Sequence, residues 1–307
     1  MTSSTRSDNP ASDGRIVAVT GATGALGSRV ARRLAAAGVA QRLVVRDTSR
    51  APSLPGAEVT ALPGGYRDGD AMVAALSGVH TVFLVSASES PDRRAVHATA
   101  VDAAVDAGVA HVVYVSFAGA APQATFTFAR DHYHTEEHIK SHDVAYTMLR
   151  NNLYLDLLTH FVGPDGVLRG PAGDGRFAGV TREDIADVAA AVLTASITGD
   201  TAHHGRTYDV TGPEAITMAE FVAALTAASG RLITYDAETL DQAYASRASY
   251  GAPDWEVAGW VTTYAAVAAG ELASVATTVA DITGHEPMSV HAYLAAFPRE
   301  IDHLRTA

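Results

Sequence analysis

Short apolar runs alternate with longer amphipathic stretches through the first half of the chain. The runs are rich in β-branched residues, and the alanine-rich stretches between them carry apolar residues at helical spacing. This alternation predicts strands at Arg15–Thr20, Arg42–Arg46, Glu58–Ala61, Thr81–Ser86, His111–Ser116 and Tyr146–Arg150. It predicts helices at Leu26–Ala37, Asp68–Leu76, Pro91–Ala107 and about Phe128–Ser141. Strands and helices in this order predict an α/β fold with a doubly wound parallel sheet, whose ligand lies at the carboxyl ends of the strands.

The pattern loosens after Asn151. A glycine-rich stretch at Gly163–Gly179 precedes a predicted helix at Glu183–Thr194 and a predicted strand at Thr207–Val210. From Thr217 onward the predicted elements are helices at Met218–Ala228, Glu238–Ser249, Trp255–Glu271 and Ser289–Phe297. We therefore predict a disordered leader at 1–13, a nucleotide-binding domain at 14–160 to which 180–211 return, and a smaller, mostly helical substrate lobe at 161–179 and 212–307.

Three glycines spaced three residues apart follow the first predicted strand and open the first predicted helix. Gly21 suits the tight turn that leaves the strand, Gly24 lets the backbone approach a phosphate, and Gly27 lets the helix pack on the sheet. The helix N-terminus supplies free N–H groups and a positive dipole end to an anion. This context predicts a Rossmann-type site for the pyrophosphate of a dinucleotide.

Composition restricts the partners. The 307 residues carry a formal net charge of −12 and contain no cysteine. A protein that binds DNA, RNA or an anionic membrane needs concentrated lysine and arginine, so this charge argues against those partners. Without cysteine the chain has no disulfide, thiolate metal site or thiol nucleophile, and no apolar run of 18 residues predicts a membrane span. We expect a soluble, cytoplasmic protein.

The end of the second predicted strand indicates which dinucleotide binds. Arg46 stands where a guanidinium accommodates the 2′-phosphate of NADP. Asp47 follows directly, and a shift by one residue would instead place a carboxylate against the ribose 2′-hydroxyl of NAD. We prefer NADP (NADPH) as the cofactor.

Six segments carry a resemblance to a known family: Thr20–Gly27, Leu43–Asp47, Phe83–Glu89, Thr135–Glu136, Thr147–Asn151 and Gly170–Gly175. In these the chain resembles an atypical short-chain dehydrogenase/reductase of the NmrA-like group, most closely the type 2 NAD(P)H:quinone oxidoreductases and the triphenylmethane reductases. The resemblance implies that Ser86, Ala87 and Ser88 lie along the phosphates and ribose, and that Asn151–Tyr154 pass by the nicotinamide. The further positions expected at the cofactor are Thr23, Ala25, Leu26, Ser116, His132, Asn151, Leu153 and Tyr154.

The resemblance also reveals an absence. Typical short-chain dehydrogenases use Tyr-x-x-x-Lys on one helix face, where the lysine lowers the tyrosine pKa and the tyrosine passes a proton to the carbonyl oxygen. The register here places Phe128 at the tyrosine position and His132 at the lysine position. Neither residue can take over the role of the residue that it replaces. Tyr133 lies one residue later on another face and is a poor substitute. His132 remains the candidate catalytic residue.

A quinone tolerates this absence because hydride addition gives a delocalised anion, whereas reduction of an isolated ketone leaves an unprotonated alkoxide. The leading hypothesis is therefore an NADPH-dependent reductase of quinones or other flat, conjugated acceptors, and the alternative is a non-enzymatic NmrA-like sensor of dinucleotides. We expect a small aromatic substrate, a candidate homodimer and no metal, because the recurring His134, His138 and His142 have no carboxylate or thiol at ligand spacing. The candidate substrate-contacting residues are Phe117, Phe128, Tyr154 and Trp255.

Overall fold

The computed structural model describes residues 14–305, so the predicted leader at 1–13 lies outside the described residues. Within them the chain forms eleven strands. These are β1 Val17–Thr20, β2 Gln41–Val45, β3 Ala57–Ala61, β4 Thr81–Leu84, β5 His111–Phe117, β6 Ala145–Asn151, β7 Val167–Gly170, β8 Arg176–Phe177, β9 Arg206–Val210, β10 Ile216–Thr217 and β11 Thr234–Ala237.

The same residues form twelve α-helices, none of which is long and apolar enough to cross a membrane. They are α1 Ala25–Ala36, α2 Gly69–Leu76, α3 Arg93–Asp106, α4 Thr127–Lys140, α5 Leu155–Leu158, α6 Arg182–Ile197, α7 Met218–Ser229, α8 Leu240–Arg247, α9 Asp254–Ala268, α10 Thr278–Thr283, α11 Val290–Ala296 and α12 Asp302–Arg305. Short 3₁₀ helices lie at Thr48–Arg50, Gly65–Arg67, Thr159–Phe161, Ala248–Tyr250 and Pro298–Ile301.

Seven strands form one sheet in the order β3-β2-β1-β4-β5-β6-β9, and every neighbouring pair is parallel. The strand order reverses between β1 and β4, because the chain runs outward through β2 and β3 before it crosses back. In such sheets a crevice opens at the carboxyl ends of the strands where the order reverses. The predicted doubly wound fold is confirmed, with the turn after β1 and the loop after β4 on the two sides of that crevice.

Successive strand residues point to opposite faces, so each face of the sheet has its own apolar core. In β1, Val17 and Val19 are buried with α1, α6 and α10 on one face, and Ala18 is buried with α2, α3 and α4 on the other. Tyr114 of β5 and Ile139 of α4 are fully buried in this second core. Helices on both faces explain why the strands are apolar without interruption.

The segment at 180–211 lies against the large sheet, although β6 and β9 are far apart in the chain. Helix α6 packs along α1, and β9 pairs with β6 at the edge of the sheet. Three ion pairs join the helices: Arg29 Nε lies 2.6 Å from Glu183 Oε1, and Arg33 lies 2.7 Å from Glu183 Oε2 through Nη2 and 2.5 Å from Asp187 Oδ1 through Nε. The α1 face of the sheet is therefore complete only when this returning segment is in place.

The remaining elements form a third apolar cluster around α7, α9 and α11. Two small sheets occur here, parallel β7-β11 and antiparallel β8-β10, so the glycine-rich stretch holds two strands that its composition did not predict. Helix α9 ends at Ala268 rather than at Glu271, because the chain turns at Gly270, whose φ is +77°. Helix α10 packs against α6 beside the large sheet, although 212–307 are predicted to form the lobe.

Candidate active site

A cleft of about 400 Å³ opens at the carboxyl ends of β1, β2 and β4. Of the predicted cofactor residues, the following line it: Gly21, Thr23, Gly24, Ala25, Leu26, Gly27, Arg46, Ser86, Ala87 and Ser88. The sequence patterns did not point to its other lining residues, which are Val44, Val45, Leu62, Gly64, Gly65, Tyr66, Arg67, Val85, Glu89, Ser90 and Val96. One crevice thus collects the glycine turn, the end of β2 and the loop after β4.

The glycine turn has the geometry that its spacing predicts. Gly21 has φ +61°, a left-handed conformation that other residues adopt at a cost. A Cβ on Gly27 would lie 2.3 Å from the carbonyl oxygen of Gly21, so only glycine lets α1 start this close to the strand. Gly24 is exposed in the cleft and precedes the first residue of α1. The first N–H groups of α1 have no acceptor within the helix and suit an anion there.

Arg46 and Asp47 occupy different environments. Arg46 is exposed, lines the cleft and has no salt-bridge partner among residues 14–305. Asp47 caps the following 3₁₀ helix, and its Oδ1 accepts from the Ser49 hydroxyl at 2.6 Å and from the Ser49 N–H at 3.0 Å. These hydrogen bonds from Ser49 lower the pKa of Asp47. The guanidinium is available in the cleft, whereas the carboxylate already has a structural role outside it.

Tyr66 joins the two sides of the cleft. Its hydroxyl lies 2.5 Å from Thr20 Oγ1 at the end of β1 and 2.8 Å from the Val85 carbonyl oxygen after β4. Burial raises the pKa of the Tyr66 phenol, which stays protonated and donates. In the sequence, only the glycine pair Gly64-Gly65, which interrupts the pattern before Tyr66, indicates the position of this tyrosine in the cleft.

Two side chains of α3 hold the loop that follows β4. Arg93 Nε donates to the Ala87 carbonyl oxygen at 2.9 Å, and the Ala87 N–H donates to His97 Nε2 at 2.8 Å. His97 Nδ1 lies 2.8 Å from Thr135 Oγ1, whose hydroxyl donates to the Asp131 carbonyl oxygen, so the His97 proton is on Nδ1. Burial lowers the pKa of His97 to about 3 and keeps it neutral. Both backbone groups of Ala87 are therefore fixed.

His132 continues this polar network away from solvent. Arg93 Nη2 lies 3.4 Å from His132 Nε2, and Tyr114 Oη lies 2.9 Å from His132 Nδ1. Because an arginine can only donate, His132 accepts at Nε2 and donates from Nδ1 to Tyr114. Burial lowers the pKa of His132 well below its usual value. Arg93 is 3% exposed, and its Nη1 has no hydrogen-bond partner among the described residues.

Ser116 is buried at the end of β5 beside an ion pair. Its hydroxyl donates to Glu136 Oε1 at 2.6 Å. Arg150, its register partner on β6, donates to both oxygens of the same carboxylate at 2.8 and 2.6 Å. Glu136 is fully buried and fully paired, so Ser116 has a structural bond as well as its position at the strand end.

The end of β6 carries a polar atom without a partner. Asn151 is fully buried; its Nδ2 lies 3.4 Å from Tyr154 Oη, and its Oδ1 has no partner among residues 14–305. The Arg182 guanidinium lies 4.6 Å from the centre of the Tyr154 ring. Leu153 is buried in the apolar cluster around α7, α9 and α11. An unpartnered buried amide oxygen is costly unless a ligand or water donates to it.

Half-buried aromatic rings extend from the end of β5 to α9. Ring centres are 4.9 Å apart for Phe117 and Phe126, 5.5 Å for Phe126 and Phe128, and 6.0 Å for Phe128 and Trp255. A Cβ on Gly259 would lie 2.3 Å from the Phe128 ring, so α9 packs closely on this row. Three of the four predicted substrate residues thus lie in one aromatic row.

A second groove of about 760 Å³ lies in the lobe, and none of the predicted site residues lines it. Its lining residues are His160, Phe161, Val162, Gly163, Pro164, Val167, Arg169, Ser246, Arg247, Tyr250, Trp260, Thr263 and Tyr264. Tyr133, the weak candidate for a proton donor, packs edge-on against His134 with ring centres 5.5 Å apart.

Comparisons with known proteins agree with this geometry. Residues 21–196 match the model of the NAD(P)H-binding family. The chain is 32% identical over 272 residues to the NAD(P)H azoreductase of Xenophilus azovorans, covering 88% of this chain and 93% of the relative. It is 33% identical over 249 residues to quinone oxidoreductase 2 of Escherichia coli (strain K12), covering 78% and 83% of the two chains.

Solved structures give the same grouping. An NADPH-dependent quinone oxidoreductase from Escherichia coli, crystallised with NADPH, superposes with a TM-score of 0.81 at 29% identity and covers 92% of this chain and 99% of its own. The triphenylmethane reductase of Citrobacter sp. gives 0.78 at 27% identity, with coverages of 92% and 99%. The transcriptional regulator NmrA gives 0.73 at 18% identity, covering 95% and 98%, and shares the fold. The chain belongs to the NAD(P)H-binding family, and the azoreductase and quinone oxidoreductase named above are among its relatives.

Proposed function

We propose that this protein is an NADPH-dependent reductase of quinones, azo compounds or similar flat, conjugated acceptors. One observation carries the proposal: Arg93 holds the Ala87 loop of the dinucleotide cleft and contacts a neutral His132 on α4, the helix where Phe128 and His132 occupy the positions of the tyrosine and the lysine. The named activities of the azoreductase and quinone oxidoreductase relatives support it.

NADPH fits the residues of the cleft. The start of α1 after Gly24 suits the pyrophosphate, and the unpaired Arg46 suits the 2′-phosphate. The fixed loop at Ala87 presents Ser86 and Ser88 to the rest of the cofactor. The unpartnered Asn151 Oδ1 is an acceptor for an amide N–H such as that of the nicotinamide carboxamide. Bound NADPH would supply the hydride.

The protein residues position the acceptor rather than protonate it. Phe117, Phe128 and Trp255 offer flat apolar faces for an aromatic substrate. His132 is neutral, and its Nδ1–H donates a hydrogen bond to the Tyr114 hydroxyl. We therefore assign His132 to positioning Arg93 rather than to acid catalysis. Two electrons arrive as hydride, and the anion takes its proton from solvent, which a delocalised hydroquinone anion permits and an isolated alkoxide does not.

Stopped-flow oxidation of NADPH tests the proposal. Purified protein is mixed with NADPH and then with a naphthoquinone, an azo dye or an unactivated ketone. We expect rapid loss of NADPH absorbance with the quinone or the dye and none above background with the ketone. The Gly24→Val variant, whose side chain enters the cleft, is the inactive control. Failure of every conjugated acceptor would overturn the proposal and favour a sensor that binds dinucleotide without turnover.

Other features of the proposal concern setting and assembly. With a net charge of −12 and no cysteine, we infer that the protein works in the cytoplasm and binds neither nucleic acid nor membranes. A homodimer stays a prediction, which light scattering of the purified protein tests directly.

A further inference from the structure

Asp102 of α3 meets His138 of α4 and His142, two residues beyond the end of α4, on a partly exposed surface. His138 Nε2 lies 2.7 Å from Asp102 Oδ1, His142 Nε2 lies 3.1 Å from the same oxygen, and the two Nε2 atoms are 3.5 Å apart. His138 lies in the last turn of α4, and His142 lies in the turn that follows this helix. Three ligand atoms of the types that zinc prefers thus converge from α3, α4 and the turn after α4.

The spacing of these atoms matches one face of a zinc coordination tetrahedron. Zinc binds imidazole nitrogen and carboxylate oxygen at about 2.0–2.2 Å, which places neighbouring tetrahedral ligands about 3.3 Å apart. The observed separations lie on both sides of that value. Side-chain exposures of 33% for His138, 28% for His142 and 49% for Asp102 leave room for water as a fourth ligand. Shifts of a few tenths of an ångström would complete the geometry.

A second cluster provides a useful contrast. Asp184, Asp187 and His285 also lie within reach of one ion. There, one oxygen of each carboxylate is engaged: Asp184 Oδ2 accepts from the Thr181 hydroxyl at 2.6 Å and the Met288 N–H at 3.1 Å, and Asp187 Oδ1 pairs with Arg33, whereas Asp184 Oδ1 has no partner among the described residues. The oxygen of Asp102, in contrast, contacts only the two imidazoles among the described residues.

We propose that Asp102, His138 and His142 form a binding site for a divalent transition metal such as Zn²⁺, which joins α3 to α4. The sequence disfavours a metal because no carboxylate follows the histidines at ligand spacing, but the fold supplies one from the neighbouring helix. The same two helices are already joined near the start of α3, where His97 is hydrogen-bonded to Thr135 and Arg93 contacts His132. The metal is therefore a structural clamp on the helices that hold the loop at Ala87. Hard cations such as Mg²⁺ prefer oxygen ligands and should not bind here.

Calorimetry with Zn²⁺ on the chelator-treated full chain, made without a polyhistidine tag, tests the site. We expect one Zn²⁺ per chain and no heat with Mg²⁺. His138→Ala and His142→Ala should weaken binding at least about a hundredfold, since loss of a direct ligand should cost no less than loss of a residue behind one. His134→Ala removes a histidine of the same helix, and Asp106→Asn removes a carboxylate one turn along α3, so both are matched controls that should bind as wild type does.

Thermal melting gives an independent readout. Zinc at about a hundredfold excess over its dissociation constant should raise the melting temperature of wild type and both controls by about 4 °C. His138→Ala should show no rise, while its circular dichroism and NADPH binding remain as in wild type and establish that it folds. The proposal is overturned by absent binding in wild type, or by equal Zn²⁺ affinity in wild type and the His138 and His142 variants.

Discussion

Replacing Gly27 by alanine should separate α1 from the strand that it follows. The added Cβ would lie 2.3 Å from the Gly21 carbonyl oxygen, 2.6 Å from the Gly21 carbonyl carbon and 2.9 Å from the Thr20 oxygen. Real Cβ contacts essentially never fall below 3.0 Å. Because all three atoms belong to the backbone, no flexible side chain can yield, and the helix start must move by about 1 Å.

Two effects of opposite sign set the magnitude. Overpacking of this kind costs about 1–3 kcal/mol, and the rigid neighbours place this site at the upper end. Alanine in a helix gains up to about 1 kcal/mol over glycine. The strain exceeds the gain, and a net loss of about 1–2 kcal/mol corresponds to a fall in melting temperature of roughly 2–3 °C for a chain of this size.

Cofactor binding should fall together with stability, because the moved N–H groups of α1 lie at the cleft. Melting curves by calorimetry and NADPH titration by fluorescence measure the two effects on one preparation. The Gly24→Val control separates them: a Cβ there lies 3.2 Å from the Gly21 oxygen, a contact relieved by a shift of a few tenths of an ångström, so the melting temperature should fall less than in Gly27→Ala while NADPH binding is lost. A Gly27→Ala protein with the stability and NADPH affinity of wild type would refute the close-packing argument.

Three further predictions concern charge and protonation. Arg46→Ala should weaken NADPH binding about tenfold or more and leave NADH binding unchanged, because a charge-assisted bond contributes about 1.5–3 kcal/mol; calorimetric titration checks this, and equal wild-type affinities for both cofactors would contradict it. Tyr133→Phe should change quinone turnover less than about tenfold, and a loss of 10²-fold or more would identify a general acid. Burial lowers the pKa of His97 and His111 to about 3, so each contributes stability that is full above pH 6.5 and is lost as pH falls toward 3, by about 1.4 kcal/mol per pH unit. The melting temperature should therefore fall as the pH is lowered from 8 to 4, and it should fall less steeply in His97→Asn. The same pH dependence in wild type and variant would contradict the assignment to His97.

The large sheet and its helices could be predicted from the sequence because each element carries its own local signal. The apolar run Val17–Thr20 and the helical pattern from Ala25 need no distant contact to be recognised. The glycine turn was readable for the same reason, since Gly21 and Gly27 act on backbone only a few residues away.

The features that depend on distant partners could not be read in this way. Strands of two residues such as β8 and β10 have no period to detect and exist only because they pair with each other. Arg93 and His97 looked like ordinary helix residues, and only the fold brings them to the loop at Ala87. Asp102 meets His138 only across a helix pair, so sequence spacing could not reveal it.

The return of β9 to the edge of β6 affects how the protein is made on the ribosome. At about 5–20 residues per second, synthesis from Asn151 to Val210 takes roughly 3–12 s. Throughout that interval β6 is an open edge, and Val30 and Leu34 of α1 lack the cover of α6. The nascent chain is then prone to aggregation. A gene fragment ending at residue 160 would encode six of the seven strands with an open edge at β6, and it would aggregate rather than fold as an independent cofactor-binding module.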